Sequence, residues 1–188
     1  MNELKREDLT IPINIAKAHA FALERHRGQK RRGTKEAYIH QPERVVYILS
    51  LYDEDIDLLA AAMLHDLVEN THTNAHDIYT VFGDRIGGLV EELTIDPYAK
   101  KILGKKKYLV ECMNKMSNDA FTIKLADRLD NVMGLIDSSV SIDFVAWYWK
   151  ETNYIIDNLN RNSYSKTQEC LLNTIGFNLK YLEVLKEL

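Results

Sequence analysis

Four side chains of the sequence have the residue types of a metal-ligand set. His65 and Asp66 are adjacent and follow the apolar run 58–64, while His40 precedes them and Asp127 lies further along the chain. Two imidazoles and two carboxylates form a mixed nitrogen and oxygen set, which suits manganese, iron or zinc. Ions of this kind make water a nucleophile near neutral pH. We therefore predict that His40, His65, Asp66 and Asp127 bind one divalent ion that supports hydrolysis.

Several helices must come together to position these ligands. Adjacent residues of a helix point about 100° apart, so His65 and Asp66 reach one ion only where their helix packs closely on its partners. The other ligands must come from different helices. His40 lies just before Pro42, which marks the start of a helix, and Asp127 lies in the amphipathic stretch 121–135.

Five segments of the sequence carry a resemblance to a known family. They are His26–Arg31, Tyr38–Pro42, Met63–Thr71, Val81–Gly83 and Ile123–Asn131. In this order they are similar to segments of the HD-domain metal phosphohydrolases, and specifically of the RelA/SpoT hydrolase branch with its stand-alone small alarmone hydrolases. The matched segments span most of the chain, so the resemblance is far more specific than a His-Asp dipeptide.

The resemblance implies an activity. Members of this family remove pyrophosphate from the 3′ position of guanosine 3′-diphosphate 5′-(di/tri)phosphate, (p)ppGpp, generally with manganese, although another divalent transition metal could serve. Some stand-alone members also act on other nucleotides with a 3′ or 2′ phosphate. The partner that the resemblance implies is therefore a phosphorylated nucleotide.

The resemblance also implies substrate contacts. Arg31 and Arg32 occupy positions that meet the nucleotide, and Asn131 presents an amide to ribose or phosphate from the same helix face as Asp127. Tyr148 resembles a substrate-contacting tyrosine, although aromatic residues on helices are more often part of a core. Lys124, three residues before Asp127, is expected either to touch a phosphate or to pair with Asp127.

Basic side chains crowd the segment just before His40, although the chain has a formal net charge of −4. They are Arg25, Arg27, Lys30, Arg31, Arg32 and Lys35. Arginine can clamp a phosphate with paired donors and can stack on a base. We predict that this segment binds phosphates, whereas the second basic run, 100–107, is expected to be a solvated face.

The most serious departure from the family pattern lies at position 70, and a second is Phe144, where those proteins often carry an arginine. A Glu-Asp pair usually follows the His-Asp pair and contributes to water activation, but this chain has Glu69 and Asn70. The amide of Asn70 accepts no proton and carries no charge, and general-base catalysis is typically worth about 10²–10⁴-fold. Either Glu69 suffices as base or orienter, or the substrate is a different nucleotide, or the protein is a nucleotide-binding regulator with weakened catalysis.

Composition sets broader limits. The chain has 188 residues, 46% hydrophobic and 28% charged, which is enough for one globular domain over residues 1–188. Cys112 and Cys170 have no metal or redox spacing, and no stretch approaches the length of a membrane span. We expect a cytoplasmic protein that binds neither nucleic acid nor membrane, and the oligomeric state stays open.

Helical periodicity dominates the chain and no segment alternates as a strand does. We predict an all-α, single-domain helical bundle of the HD type. Its helices are expected at about 11–27 (capped by Thr10), 42–52, 53–69, 74–82, 84–94, 104–116, 118–137, 141–158 and 165–188, with 97–104 as a loop.

Overall fold

The structure of the protein is a computed structural model that describes residues 13–136 and 139–187. Its helices are α1 (Ile13–Arg25), α2 (His40–Ser50), α3 (Ile56–Leu64), α4 (Leu67–Asn70), α5 (Ala75–Leu93), α6 (Pro97–Leu103), α7 (Lys105–Lys115), α8 (Asn118–Gly134), α9 (Ile142–Asp157) and α10 (Lys166–Lys186). These described residues contain no strand, and only Lys30 and Ala37 form an isolated bridge. The prediction of an all-α fold is confirmed.

Side-chain caps explain where several helices begin. Asn74 and Ser165 each form a capping box with the third residue of the following helix, and the Ser141 side chain accepts a hydrogen bond from the Phe144 amide. Such caps satisfy amide groups that lack a partner in the first turn. The predicted cap Thr10 lies outside the described residues. The helix α5 is interrupted at Gly83, with φ 82° and ψ 178°, between the two helices predicted at 74–82 and 84–94. The other predicted helix ends agree with the structure to within a few residues, apart from two differences.

The first difference is α6, because residues 97–104 were predicted to form a loop. The Asp96 side chain accepts hydrogen bonds from the amides of Tyr98 and Ala99, and Pro97 occupies the first turn. Proline is well suited to this position, where its missing amide hydrogen costs nothing. The pattern read as a loop signal is therefore a helix start.

The second difference is a break in the predicted helix 53–69. The helix α3 ends at Leu64, Asp66 has φ −119° and ψ 4°, and α4 begins at Leu67. The Nδ1 atom of His65 lies 2.8 Å from the carbonyl oxygen of Ala62. This side-chain bond uses a carbonyl at the end of α3, and the break presents His65 and Asp66 at a turn.

The helix α3 is the centre of the fold. Every residue from Leu58 to Leu64 is buried, and the helix packs against α1, α2, α5 and α8. A helix that is apolar on all sides is expected in this position. Because the described residues share one hydrophobic core around α3, the turn at its end sits at the edge of that core. None of the described helices is long and apolar enough to cross a membrane.

Candidate metal and nucleotide site

Two of the four predicted metal ligands, His65 and Asp127, approach each other at the end of α3, and Asp66 follows His65 in the same turn. His65 and Asp66 are buried, with 4% and 6% of their surface exposed. The Nε2 atom of His65 lies 3.6 Å from Oδ1 of Asp127, which projects from α8. Because Nδ1 of His65 donates to the Ala62 carbonyl, Nε2 is the ring atom presented to the site. Burial lowers the pKa of His65, but the carboxylates of Asp66 and Asp127 outweigh it and raise that pKa to about 9.

The carboxylate of Asp127 is surrounded by donors. Its Oδ1 accepts hydrogen bonds from Gln41 Nε2 at 3.0 Å and from Asn131 Nδ2 at 2.7 Å, and its Oδ2 lies 3.1 Å from Lys124 Nζ. Burial alone would raise the pKa of Asp127, but Lys124 and His65 hold it well below the usual range of a carboxyl group. Asp127 is therefore ionised in the folded protein.

The carboxylate of Asp66 has its own set of partners. His26 Nε2 lies 3.2 Å from Oδ1, and Asn70 Nδ2 donates to Oδ2 at 3.0 Å. The Asn70 amide also donates to the hydroxyl of Tyr38 at 3.0 Å. Burial raises the pKa of Asp66, but His65 and His26 lower it well below its usual range. The site thus holds two ionised carboxylates, each receiving a hydrogen bond from a carboxamide.

We call His65, Asp66 and Asp127 the carboxylate cluster, or the cluster. His40, the fourth predicted ligand, lies outside it. Its side chain is 50% exposed, and its Nδ1 lies 2.7 Å from Oε2 of Glu43 on the same helix. The inward face of α2 carries Gln41, Val45 and Leu49, which are buried at intervals of four residues. Because neighbouring helical residues point about 100° apart, an inward Gln41 turns His40 outward. Gln41, and not His40, contacts Asp127.

The metal ligands of the cluster are incomplete without Gln41. Within residues 13–136 and 139–187, no three His, Cys, Asp or Glu side chains are arranged to hold a metal ion. The Oε1 atom of Gln41 is buried and has no hydrogen-bond partner. A carboxamide oxygen is an accepted ligand of hard divalent ions. The residues that could hold an ion here are His65, Asp66, Asp127 and Gln41.

A cavity of about 220 Å³ opens beside the cluster, and we call it the nucleotide cavity. Gln41 and Asn131, which both contact Asp127, belong to its wall. The other polar residues of the wall include Arg31, Arg32, Tyr38 and Tyr148. The predicted substrate-binding residues therefore share one cavity, apart from Lys124, which is buried and pairs with Asp127.

The two arginines of the nucleotide cavity are held differently. Arg31 forms an ion pair with Asp130, with 2.9 Å between Nη1 and Oδ2, and donates from Nη2 to the Asp130 carbonyl oxygen. Arg32 stacks on the ring of Phe144, with its Cζ atom 4.3 Å from the ring centre. Burial raises the pKa of Tyr148, which keeps its hydroxyl as a neutral donor. The cavity thus combines two cations, an aromatic wall and neutral hydrogen-bonding groups.

Glu69, the candidate catalytic carboxylate, lies outside the hydrogen-bonded cluster. It is exposed, and its Oε1 accepts a hydrogen bond from the Ile95 amide at 3.1 Å. Asn70, the other candidate catalytic residue, lies inside the cluster through its bond to Asp66. The residue that could orient a water molecule next to Asp66 is thus an amide.

Sequence reasoning missed three residues that contact the cluster: His26, Tyr38 and Gln41. The spacing of Gln41 with Val45 and Leu49 is a signal that could have found Gln41, since it places that residue on the buried face of α2. His26 and Tyr38 lie in segments that resemble the family, but nothing in their spacing pointed to Asp66. Arg128 and Asp130, which follow Asp127 on α8, are buried as well.

The chain is similar in sequence to known proteins of one family. The family model described as HD domain matches residues 18–141. The guanosine-3′,5′-bis(diphosphate) 3′-pyrophosphohydrolase MESH1 of Xenopus tropicalis is 38% identical over 124 residues, which cover 64% of this chain and 69% of the relative. The human MESH1 protein has the same identity and coverage.

A solved structure supports the same assignment. It belongs to a metazoan ortholog of SpoT, described as hydrolysing ppGpp and playing a role in starvation responses. It is 31% identical, has a TM-score of 0.78, and the alignment covers 88% of this chain and 96% of the other. The fold and the site define an HD-type phosphohydrolase domain. The chain belongs to the HD-domain family, and among its relatives it is similar to the stand-alone ppGpp hydrolases.

Proposed function

We propose that this protein hydrolyses (p)ppGpp and releases pyrophosphate from the 3′ position. The observation that carries the proposal is the contact between the carboxylate cluster and the nucleotide cavity, since Gln41 and Asn131 belong to both. A nucleotide held by the arginines of that cavity would place a phosphate group beside Asp66 and Asp127. The names of the relatives support (p)ppGpp as the substrate.

We further propose that the reaction needs manganese or a similar divalent ion. His65, Asp66 and Asp127 would hold it, and the unpartnered Oε1 of Gln41 would add an oxygen ligand. Three oxygen-bearing side chains and one imidazole suit manganese. When bound, such an ion supplies a water nucleophile near neutral pH.

The remaining residues would bind and orient the substrate. Arg32 carries its charge over Phe144 without an ion pair in the described part of the chain, so it is available to a phosphate or a base. Asn131 holds Asp127 in place, and Tyr148 offers a neutral hydroxyl. Asn70 would hydrogen-bond the attacking water, and Glu69, after releasing the Ile95 amide, would accept its proton.

A second candidate function is a nucleotide-binding regulator with weak catalysis. The observation that favours it is the position of Asn70, whose amide donates to Asp66 where a carboxylate could accept a proton. A hydrolase for another 3′- or 2′-phosphorylated nucleotide is the remaining alternative. In that case the cavity and the cluster keep their roles and only the base and sugar contacts change.

A panel of nucleotides separates these possibilities. The protein is incubated with manganese and with ppGpp, pppGpp, a 3′-phosphorylated adenine nucleotide or a 2′-phosphorylated dinucleotide, and the products are separated by anion-exchange chromatography. The proposal expects GDP or GTP together with pyrophosphate. Binding of ppGpp without products would support the nucleotide-binding regulator. Turnover of another nucleotide alone would make that nucleotide the substrate in place of (p)ppGpp.

A further inference from the structure

The basic segment 25–35 does not face a single site. Arg31 and Arg32 line the nucleotide cavity, whereas Arg27, Lys30 and Lys35 line a different cavity at the end of α1. Lys30 lies at the bridge to Ala37, where the backbone is extended, and successive residues of extended backbone point in opposite directions. The cations of this segment are therefore divided between two cavities.

The second cavity, which we call the α1 cavity, is large enough for a small organic ligand. Its volume is about 610 Å³, within the roughly 300–1,000 Å³ that is usual for ligand pockets. Its apolar wall is formed by side chains that include Leu23, Ala37 and Ile39. Leu23 is 49% exposed, so a ligand could cover apolar surface that water now touches.

Three cations of the α1 cavity have no partner among residues 13–136 and 139–187. In the described residues, the side chains of Arg27, Lys30 and Lys35 form no ion pair or hydrogen bond. Other basic groups nearby are engaged, such as Arg31 with Asp130 and Arg25 with the Phe21 ring. Among the described residues of the wall, Glu24 is the one acidic residue, and these residues carry an excess of positive charge around an apolar surface.

We propose that the α1 cavity binds a second anionic ligand of the nucleotide class, separate from the substrate. The phosphates would pair with Arg27, Lys30 and Lys35, and the base would pack on Leu23 and its apolar neighbours. A wall of this composition recognises a ligand that has both a charged end and an apolar body. This inference does not depend on turnover at the nucleotide cavity.

The α1 cavity is connected to the cluster by two residues of its own wall. The His26 ring contacts Gln29 Oε1 through Nδ1 at 2.8 Å and Asp66 Oδ1 through Nε2 at 3.2 Å. Gln29 in turn donates to the carbonyl oxygen of Asn70 at 2.8 Å. A ligand that shifts His26 or Gln29 would move groups bonded to Asp66 and Asn70. Binding in the α1 cavity would therefore change the rate of hydrolysis.

Calorimetric titration of the whole chain with GDP, in low salt and without divalent metal, tests the proposal. The test variant is Lys30→Glu combined with Lys35→Glu. The control combines Lys166→Glu with Lys180→Glu, two exposed lysines of α10 that make the same change in net charge. We expect the test variant to lose one bound GDP per chain, or to bind it at least about tenfold more weakly, and the control to match the unmodified protein.

The number of nucleotides bound decides the outcome. An unchanged number and affinity in the test variant would overturn the proposal. Leu23→Ser then tests the ligand class, because it keeps every charge. We expect it to weaken GDP but not inorganic pyrophosphate, and equal behaviour of both probes would exclude a nucleotide. Since titration without metal counts ligands and not products, a failure here is distinct from an absence of pyrophosphate release.

Discussion

Gln41 donates a hydrogen bond from Nε2 to the Oδ1 oxygen of Asp127, over 3.0 Å, between the first turn of α2 and the middle of α8. This contact links the inward face of α2 to the ionised carboxylate of Asp127. It also leaves Oε1 of Gln41 buried without a partner. A neutral carboxamide thus contacts an ionised carboxylate, and several consequences can be measured.

Replacing Gln41 by histidine should strengthen metal binding. The new imidazole would add a nitrogen ligand, and nitrogen ligands favour zinc over manganese. We expect zinc affinity of the metal-free protein to rise at least about tenfold, equivalent to roughly 1.4 kcal/mol, and manganese affinity to rise less. The measurement is calorimetric metal titration. His40→Ala is the matched control, because His40 is its exposed neighbour. A loss of metal affinity in the control would return His40 to the ligand set.

Replacing Asn70 by aspartate should raise turnover. We expect the unmodified chain to hydrolyse ppGpp slowly, and Asn70→Asp to increase the rate at least about tenfold, the low side of general-base effects. Affinity for the nucleotide should stay the same or weaken, because a new negative charge approaches the phosphates. The assay is manganese-dependent pyrophosphate release, with ligand affinity measured in parallel.

The same substitution should cost stability when no metal is present. Asn70 now donates to Asp66, and a carboxylate would repel it, with an expected loss of about 1–3 kcal/mol. Asn173→Asp, at an exposed position of α10, controls for added charge. For the turnover prediction, rapid hydrolysis by the unmodified protein would show that Glu69 suffices as the base without a carboxylate at position 70.

Replacing Gly134 by alanine should disturb Arg31 without unfolding the protein. A Cβ atom at Gly134 would lie 2.6 Å from Nη2 of Arg31, so the guanidinium must move away from Asp130. Because it is the end of a flexible side chain, we expect little change in stability and a roughly threefold to tenfold loss of nucleotide affinity.

Gly176→Ala is the matched control for this helix glycine. Nothing lies within 4 Å of a Cβ atom there, so we expect about 1 kcal/mol more stability from helix propensity and unchanged affinity. Thermal unfolding and nucleotide titration check both variants. An unchanged affinity of Gly134→Ala would mean that Arg31 does not contact the ligand.

Glu151 should prove important for stability. It is 5% exposed and lies 3.0 Å from Lys105 Nζ and 3.4 Å from Arg128 Nη1. Glu151→Ala would leave the buried Arg128 without its counter-charge, and we expect the free energy of unfolding to fall by about 3–5 kcal/mol. Glu111→Ala, an exposed site on α7, should change it by less than about 0.5 kcal/mol. Denaturant unfolding measures the free energy of unfolding of both variants. Equal losses of stability would contradict the role assigned to the pair of Glu151 and Arg128.

The sequence predicted the helical fold and most helix ends because apolar periodicity and capping residues act locally. The helices predicted to start at 74, 141 and 165 do start there, and Asn74, Ser141 and Ser165 cap them. The break at His65 was not predictable in this way, since it depends on a side-chain bond to Ala62 that competes with the helix. The helix α6 was missed because Pro97 was read as a loop residue, and not as the first residue of a helix that Asp96 caps.

The candidate site was predicted in part. His65 and Asp127 approach each other beside Asp66, but His40 was predicted as a ligand from its residue type, since imidazole is a familiar ligand. The helical phase of α2 decides otherwise, because burial of Val45 and Leu49 turns Gln41 inward. The pairing of His26 with Asp66 joins residues 40 positions apart, and only the packing of α1 against α3 brings them together.

The most direct test of the central claim is product analysis with ppGpp and manganese for the unmodified chain and for Asp127→Asn. The Asp127 carboxylate accepts hydrogen bonds from Gln41 and Asn131 and forms an ion pair with Lys124. It is therefore the group that the polar side chains of the site share as a partner. We predict GDP and pyrophosphate from the unmodified chain, and a loss of at least about 10²-fold in rate for Asp127→Asn. An equal rate in both proteins, or no release of pyrophosphate by either the unmodified chain or Asn70→Asp, would contradict the account.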